Sequence, residues 1–296
     1  MVTQLTPGRA AELCDALAAV CAPARLDPAG AQLLKYTVNA VYRLPHAGVV
    51  VRVADDPGAA DRARRVVSAA RWLAGHRAPV IRLVEGIAQP VTVGLAAATF
   101  WVELGDHGVH RAVDLAGPLR ALHALPPGGP LPRWSPFEAA ARRLACADDL
   151  ADDDRDWLAG RWAAAGRDWR AVAGGLRTGV VHGDAHPGNL LRDGRGRYVL
   201  CDLDSAGLGP LDWDLVPAAV AAIRFGTPRR YAELAARYGR DVTAGAAWPV
   251  LRRIRELVMV TAVAGDLRQR PAVAAEHARR LRHLREGEDT ARWVRY

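Results

Sequence analysis

Lysine is almost missing from this chain: of 40 Lys and Arg residues, Lys35 is the single lysine. The arginines are dispersed, in local pairs such as Arg64-Arg65, Arg229-Arg230 and Arg252-Arg253, with no long basic tract and no interleaved aromatic stripe. The net charge of +8 therefore lacks the clustering of a nucleic-acid surface, and the pattern speaks against such a partner. Cysteine is sparse too, with four residues and no CxxC spacing, which excludes a zinc ribbon. Cys14 and Cys21 share one predicted helix, about 10 Å apart along its axis, too far for a disulfide. Cys146 and Cys201 fall in apolar settings and read as small core residues. No run approaches the ~18 apolar residues of a membrane span. The opening MVTQLTPGRAAEL has no basic-then-apolar order, so the expectation is a cytoplasmic protein. Repeats and low-complexity linkers are also lacking. The 296 residues, half of them hydrophobic, allow one large domain or two of ordinary size.

What is present concentrates in residues 180–215. They read VVHGDAHPGNLL, a turn RDGRGRY, then VLCDLDSAGLGPLDWDL. Short apolar runs at 180–181, 190–191 and 199–201 predict buried strand pieces. His182, Asp184 and Asn189 lie on the loop after the first of them, Asp202 closes the hairpin that follows, and Asp204 comes two residues later. Such an oxygen-rich set suits Mg²⁺, which takes one or two carboxylates and leaves room for substrate phosphates. Phosphoryl transfer to a hydroxyl needs a base and ligands for the metal. Asp184 fits the first role; Asn189 and Asp202 fit the second. A competing reading takes His182-x-Asp184-x-His186 as a zinc set. It needs further ligands, and only His277 and His283 remain downstream, on a predicted terminal surface helix.

The pair HGD-x-x-x-x-N and VLCD, followed by GPLDWDL, resembles the signature of the aminoglycoside phosphotransferase family, small-molecule kinases with a protein-kinase-like fold. The resemblance implies an α+β, bilobal protein-kinase-like fold: a small β-rich nucleotide-binding lobe over residues 1–105 and a larger, mainly helical catalytic and substrate-binding lobe over 106–296. It implies Asp184 as catalytic base, Asn189 and Asp202 as Mg²⁺ ligands, ATP or GTP as donor, and His182 and Asp214 as supports of the catalytic loop. The acceptor would be a small hydroxyl compound, an antibiotic such as an aminoglycoside, with resistance as the role. Alternatives are a metabolite kinase for choline, homoserine or a sugar, and a nucleotide-binding pseudokinase. Asp204 leads almost directly to Gly209-Pro210; without an activation segment, a protein acceptor is disfavoured.

Two family features are lacking in the N-terminal third. Residues 33–37, 41–44 and 49–53 predict three strands after a helix over 8–21. The first connection, Thr37-Val38-Asn39-Ala40, has no glycine, so the phosphate cradle has less backbone freedom; Asn39 is its candidate phosphate contact. The third strand, VVVRVA, carries Arg52 where the family sets a lysine. A guanidinium can grip phosphate bidentately. The following helix, about 57–73, contains no glutamate, which leaves the usual ion-pair partner unassigned and Glu85 as a weak candidate. Strands are predicted at 80–84, 91–93 and 98–104, and the linker residues Glu103 and Leu104 are expected to meet the adenine edge through main-chain groups.

Helices are predicted over 113–125, from Ser135-Pro136 onward, over 152–172, from Pro228 to Tyr238, over 248–268 and over 271–285. Ser135 is expected to cap its helix, with Glu138 returning to it. Trp157, Trp162 and Trp169 read as packing anchors. The acidic stretch Asp148, Asp149, Asp152–Asp154 and Asp156 lies near the expected acceptor side.

Overall fold

The computed structural model describes residues 6–36, 39–106, 108–265 and 267–295. The helices are α1 (Pro7–Ala24), α2 (Ala59–Gly75), α3 (Ala116–His123), α4 (Pro136–Ala145), α5 (Asp152–Val172), α6 (Val216–Arg224), α7 (Pro228–Tyr238), α8 (Trp248–Thr261) and α9 (Pro271–Glu286). The strands are β1 (Gln32–Tyr36), β2 (Ala40–Leu44), β3 (Val49–Ala54), β4 (Val91–Val93), β5 (Ala96–Val102), β6 (Thr178–Val181), β7 (Leu190–Arg192), β8 (Tyr198–Leu200) and β9 (Gly207–Pro210). The fold is the α+β, protein-kinase-like class expected of the sequence. The chain divides into two compact units.

The first unit comprises Met1–Gly108, Gly128–Leu131 and Asn189–Ala206. A boundary at 105 alone does not describe it, because the hairpin β7–β8 clusters with the N-terminal strands. Its sheet has the order β1-β2-β3-β5-β4, antiparallel throughout. Alternation explains β3: Val49, Val51 and Val53 are buried, and with Leu13, Leu17 and Val20 of α1 they form one apolar cluster. Arg52 points to the other face, on a central strand between Val41 and Thr99. Residues 80–84 form no strand. Val80 and Leu83 make isolated bridges to Leu200 and Trp101, and the amides of Ile81 and Val84 bond to Leu200 and Phe100 carbonyls. The segment changes partner every few residues, so no ladder grows. Thr37 and Val38, in the expected phosphate loop, lie outside the described residues.

The second unit comprises Val109–Pro127, Pro132–Gly188 and Gly207–Tyr296. Helices α4, α5, α6 and α9 all pack on α8, which ends at Thr261, short of the expected 268, before a turn. Trp162 is buried edge-on against Phe137, its Nε1 donating to Thr261 Oγ1 at 2.9 Å. Two local expectations fail. Ser135 has the extended backbone of a cap but its side chain makes no cap bond, and Cys146, at the C-cap of α4, is exposed rather than in the core. A helix end lifts that residue out of the apolar stripe that its neighbours Leu144 and Ala147 continue. Helix α9 is also less superficial than expected: His277, Arg280 and Leu281 are buried. No helix among the described residues is long and apolar enough to cross a membrane.

Candidate active site

In the first unit, a polar group collects on the half-buried face of β3 that carries Arg52. Arg52 Nη2 lies 2.5 Å from Asp204 Oδ2 and 3.3 Å from Asp202 Oδ1. Asn39 Nδ2 donates to Asp204 Oδ2 at 3.2 Å, and Lys35 Nζ stands 3.8 Å from Asp202 Oδ2. Asp202 adopts a left-handed backbone, φ 62° and ψ 68°, which aspartate tolerates better than most residues. It follows directly on β8 and Cys201, whose amide bonds to the Asn189 carbonyl at 2.9 Å. Asn189 and Asp202 are thus held on adjoining backbone, Asn189 buried and Asp202 open to solvent. Burial works to lower the Arg52 pKa, but Asp204 and then Asp202 outweigh it and hold it above its ordinary value. Arg52 Nη1 is buried and has no hydrogen-bond partner among the described residues. An unmet buried donor costs about 1–3 kcal/mol, so the position suits an oxyanion. Burial, with the Asp202 charge, pushes the Cys201 thiol up to about 12, and it is no nucleophile.

Glu103 and Leu104 follow β5. The Glu103 amide donates to the Gly48 carbonyl at 2.9 Å and its carboxylate meets Arg43 Nε at 2.5 Å. Main-chain recognition there would fall to the Glu103 carbonyl and the Leu104 amide. Glu85 is exposed in a turn, remote in character from the glutamate the family uses.

In the second unit, residues 182–184 leave β6 on a pinned loop. Asp214, fully buried, accepts the His182 amide at 2.7 Å and the Gly183 amide at 2.8 Å. Trp213 Nε1 donates to the Gly183 carbonyl at 2.8 Å. Gly183 has φ 84°, a region that glycine enters without strain. His123 bridges this support to α7: its Nε2 lies 2.9 Å from Asp214 Oδ2 and its Nδ1 2.7 Å from the Tyr238 hydroxyl. The buried His182 ring turns back on its own loop, Nδ1 accepting the Asp184 amide at 3.3 Å.

The Asp184 side chain is 38% exposed. Arg255 Nη1, from α8, donates to its Oδ1 at 2.8 Å. His186 Nε2 stands 3.7 Å from Oδ2, while the Gly188 amide bonds to His186 Nδ1 at 3.0 Å, so Nε2 is the ring nitrogen facing Asp184. Burial acts to raise the Asp184 pKa, but the charges of Arg255 and His186 and the Arg255 bond prevail and hold it below the ordinary carboxylate range. It is ionised at neutral pH.

The sequence model described as the phosphotransferase enzyme family (APH) matches residues 30–257. The chain belongs to this family. Solved structures share the phosphotransferase fold. The aminoglycoside phosphotransferase APH(3'')-Id from Streptomyces rimosus superposes with a TM-score of 0.62 at 20% identity, covering 83% of this chain and 98% of that one. The amicoumacin kinase hAmiN, solved with AMP-PNP, Ca²⁺ and Ami, gives 0.65 at 14%, covering 90% of each chain. The choline kinase LicA from Streptococcus pneumoniae gives 0.63 at 11%, covering 86% and 93%. No curated protein matches the sequence. By family this phosphotransferase is an enzyme acting on an alcohol group, and the expected recognition and fold class stand.

The phosphotransferase contains three functional candidates that sequence reading passed over. Asp204 was visible as the acid two residues past Asp202 but carried no assignment; it is the main partner of Arg52. Arg255 sits among Arg252 and Arg253 on one helix, and nothing local marks which of the three turns toward Asp184. His123 is a lone histidine at a helix end, joined to Asp214 across 91 positions. The competing zinc reading finds no support: among the described residues no three His, Cys, Asp or Glu side chains gather around a common point. A hard divalent cation with phosphate ligands needs fewer protein groups, and the Asn189 amide with the Asp202 carboxylate fits that lesser demand.

Proposed function

We propose that this phosphotransferase moves the γ-phosphate of ATP or GTP to a hydroxyl of a small molecule, with Asp184 as the base. The observation that carries the reading is Asp184 itself: an ionised, solvent-reaching carboxylate on a loop whose amides are clamped by buried Asp214. Its Oδ2 orients the acceptor hydroxyl and takes its proton as the hydroxyl oxygen bonds to phosphorus. The bond from the γ-phosphorus to the bridging oxygen breaks, and the nucleoside diphosphate leaves with that electron pair. His182 and Asp214 support the loop rather than touch substrate.

On the donor side, Arg52 binds phosphate oxygens, offering the buried Nη1 that otherwise has no acceptor, and Asn39 assists at the phosphate loop. Glu103 and Leu104 meet the adenine edge through backbone. Asn189 and Asp202 would hold Mg²⁺, which when bound neutralises the phosphates. An intact acid–amide–acid set argues against a pseudokinase. Among acceptors, an antibiotic such as an aminoglycoside is the reading the family suggests, and the amicoumacin and choline kinases mark how wide the fold's range is. A metabolite acceptor gains specific support from the cations around Asp184.

The test is purified protein with Mg-ATP or Mg-GTP and a panel of antibiotics and metabolites, with nucleoside diphosphate release measured. Acceptor-stimulated release that Asp184→Asn abolishes is expected. Release that persists in that variant, or that zinc chelation rather than Mg²⁺ withdrawal stops, would overturn the assignment.

A further inference from the structure

Charge around the base is lopsided. Asp184 is the single carboxylate in a group that also holds Arg255, His186 and Arg143. Arg255 reaches it from α8, and Arg143, exposed on the last turn of α4, a helix packed on α8, is near enough to feel its charge. Arg255 is 15% exposed, and among the described residues only its Nη1 has an acceptor while its Nε is buried without one. Arg143 makes no ion pair among the described residues, whereas its neighbour Arg142 reaches Glu138 at 4.0 Å. Crowding by protein lowers the Arg143 pKa, and the Asp184 charge acts the other way. One carboxylate cannot neutralise two guanidiniums.

Half of the acidic stretch that could serve a polycation is already engaged. Asp149 pairs with Arg268 at 3.0 Å, Asp152 with Arg155 at 3.2 Å and Asp154 with Arg285 at 2.7 Å. At Asp184 itself a polycationic acceptor would bring its charge to a surplus of arginine.

We infer that the acceptor is a hydroxyl compound bearing an oxyanion, carboxylate or phosphate, which Arg255 and Arg143 bind while Asp184 addresses the hydroxyl. The inference rests on the phosphotransfer reading above. Guanidinium forks match both oxyanions bidentately. Arg255 would have two functions: Nη1 orients the base and the remaining donors bind the acceptor.

The experiment measures acceptor-stimulated ADP release with D-glycerate, glycerol 3-phosphate, glucose, choline and kanamycin as probes, in wild type, Arg143→Gln, Arg255→Gln and Arg255→Lys. Turnover of glycerate or of glycerol 3-phosphate is expected, and which of the two is preferred separates carboxylate from phosphate. Losing one charged hydrogen bond is worth roughly 10–100-fold. Arg143→Gln should raise the anionic acceptor's KM by about that factor, well beyond any change in kcat, with Arg255→Lys recovering part of what Arg255→Gln loses. Faster turnover of choline or kanamycin than of either anion would overturn the inference and leave phosphotransfer standing. So would a wild type that neither turns over the anions nor is thermally stabilised by them more than Arg255→Gln is. In those same samples, slow ATP hydrolysis that needs Asp184 shows that the phosphotransfer reading survives; its absence counts against that reading separately.

Discussion

Each unit carries one cluster in which guanidinium meets carboxylate, and the two differ in their balance of charge. On β3, Arg52 faces two carboxylates, Asp204 and Asp202, with Lys35 only at the periphery at 3.8 Å. At the end of β6, one carboxylate, Asp184, faces Arg255 and His186, with the charge of Arg143 close by. The first cluster is balanced, two cations against two carboxylates, and a divalent cation held by Asp202 would add the positive charge that nucleotide phosphates need. The second has base to spare, which an anion can use. Both keep their titrating groups charged, since opposite charges nearby outweigh burial at Arg52 and at Asp184 alike. The contrast teaches that an Arg–Asp contact has no fixed meaning: its surplus, read over all neighbours, indicates what is to be bound.

The largest effect expected is from removing the charge at the centre of the second cluster. Asp184→Asn keeps the shape, and Arg255 keeps an oxygen to bond. Phosphoryl transfer should fall by roughly 10²–10⁴-fold, the usual worth of a positioned base, while nucleotide binding, followed by calorimetry, should stay near wild type. Nucleotide affinity that collapses with the rate would mean that the two clusters are not separable in function.

Next in size is the loss of a carboxylate from the first cluster. Asp202→Ala should raise the Mg²⁺ needed for half-maximal activity by roughly 10–100-fold, as loss of a charged contact does, and Asn189→Ala by less, since only a neutral oxygen goes. Mg²⁺ titrations of both variants check the order. Equal shifts, or a larger one for Asn189, would show that charge is not what Asp202 supplies.

How far these clusters could be read in advance depends on how local their causes are. Strands β1 to β3 and the bounds of α5 follow from periodicity within a few residues, and the structure has them where alternation and acidic helix starts predict. Residues 80–84 were apolar and β-branched enough to read as a strand, yet their amides are divided between partners distant in sequence. Candidates for the site were visible where turn residues break an apolar run, as at Asp184 and Asp202. Their partners were not. Arg255 is one of three arginines within four positions, and only the packing of α8 selects it. The same holds for His123, whose two bonds reach residues far along the chain.

A smaller effect tests Arg52. Arg52→Ala should raise nucleotide KM and lower kcat, each by about tenfold, because phosphate positioning matters in ground and transition states. Arg52→Lys should recover part, since an ammonium offers a point charge without the fork. Steady-state kinetics with nucleotide and acceptor varied separately decide it. Acceptor KM should barely move; a change there as large as in nucleotide KM would remove the distinction between the clusters.

The smallest effect concerns a histidine outside both clusters, which serves as a control on them. His277 in α9 is 2% exposed. Burial lowers its pKa below 6.5; Asp154 and a bond with the Val260 carbonyl act upward, and Arg280 acts downward again. Its Nε2 is buried without a partner among the described residues, so protonation would create an unmet donor beside a cation. The unfolded chain takes up this proton as pH falls through about 6.5, and the folded chain resists it. Stability from this site is therefore complete above that pH and lost below it, with a limiting slope of about 1.4 kcal/mol per pH unit. Urea unfolding at pH 7.5, 6.5 and 5.5 should show wild type losing more stability than His277→Phe across the lower interval. The ratio of wild-type to variant activity at fixed pH should stay flat over the same range, because His277 touches neither Asp184 nor Arg52. Parallel stability curves for the two proteins would mean that the folded chain accepts the proton, and that burial does not hold the ring neutral.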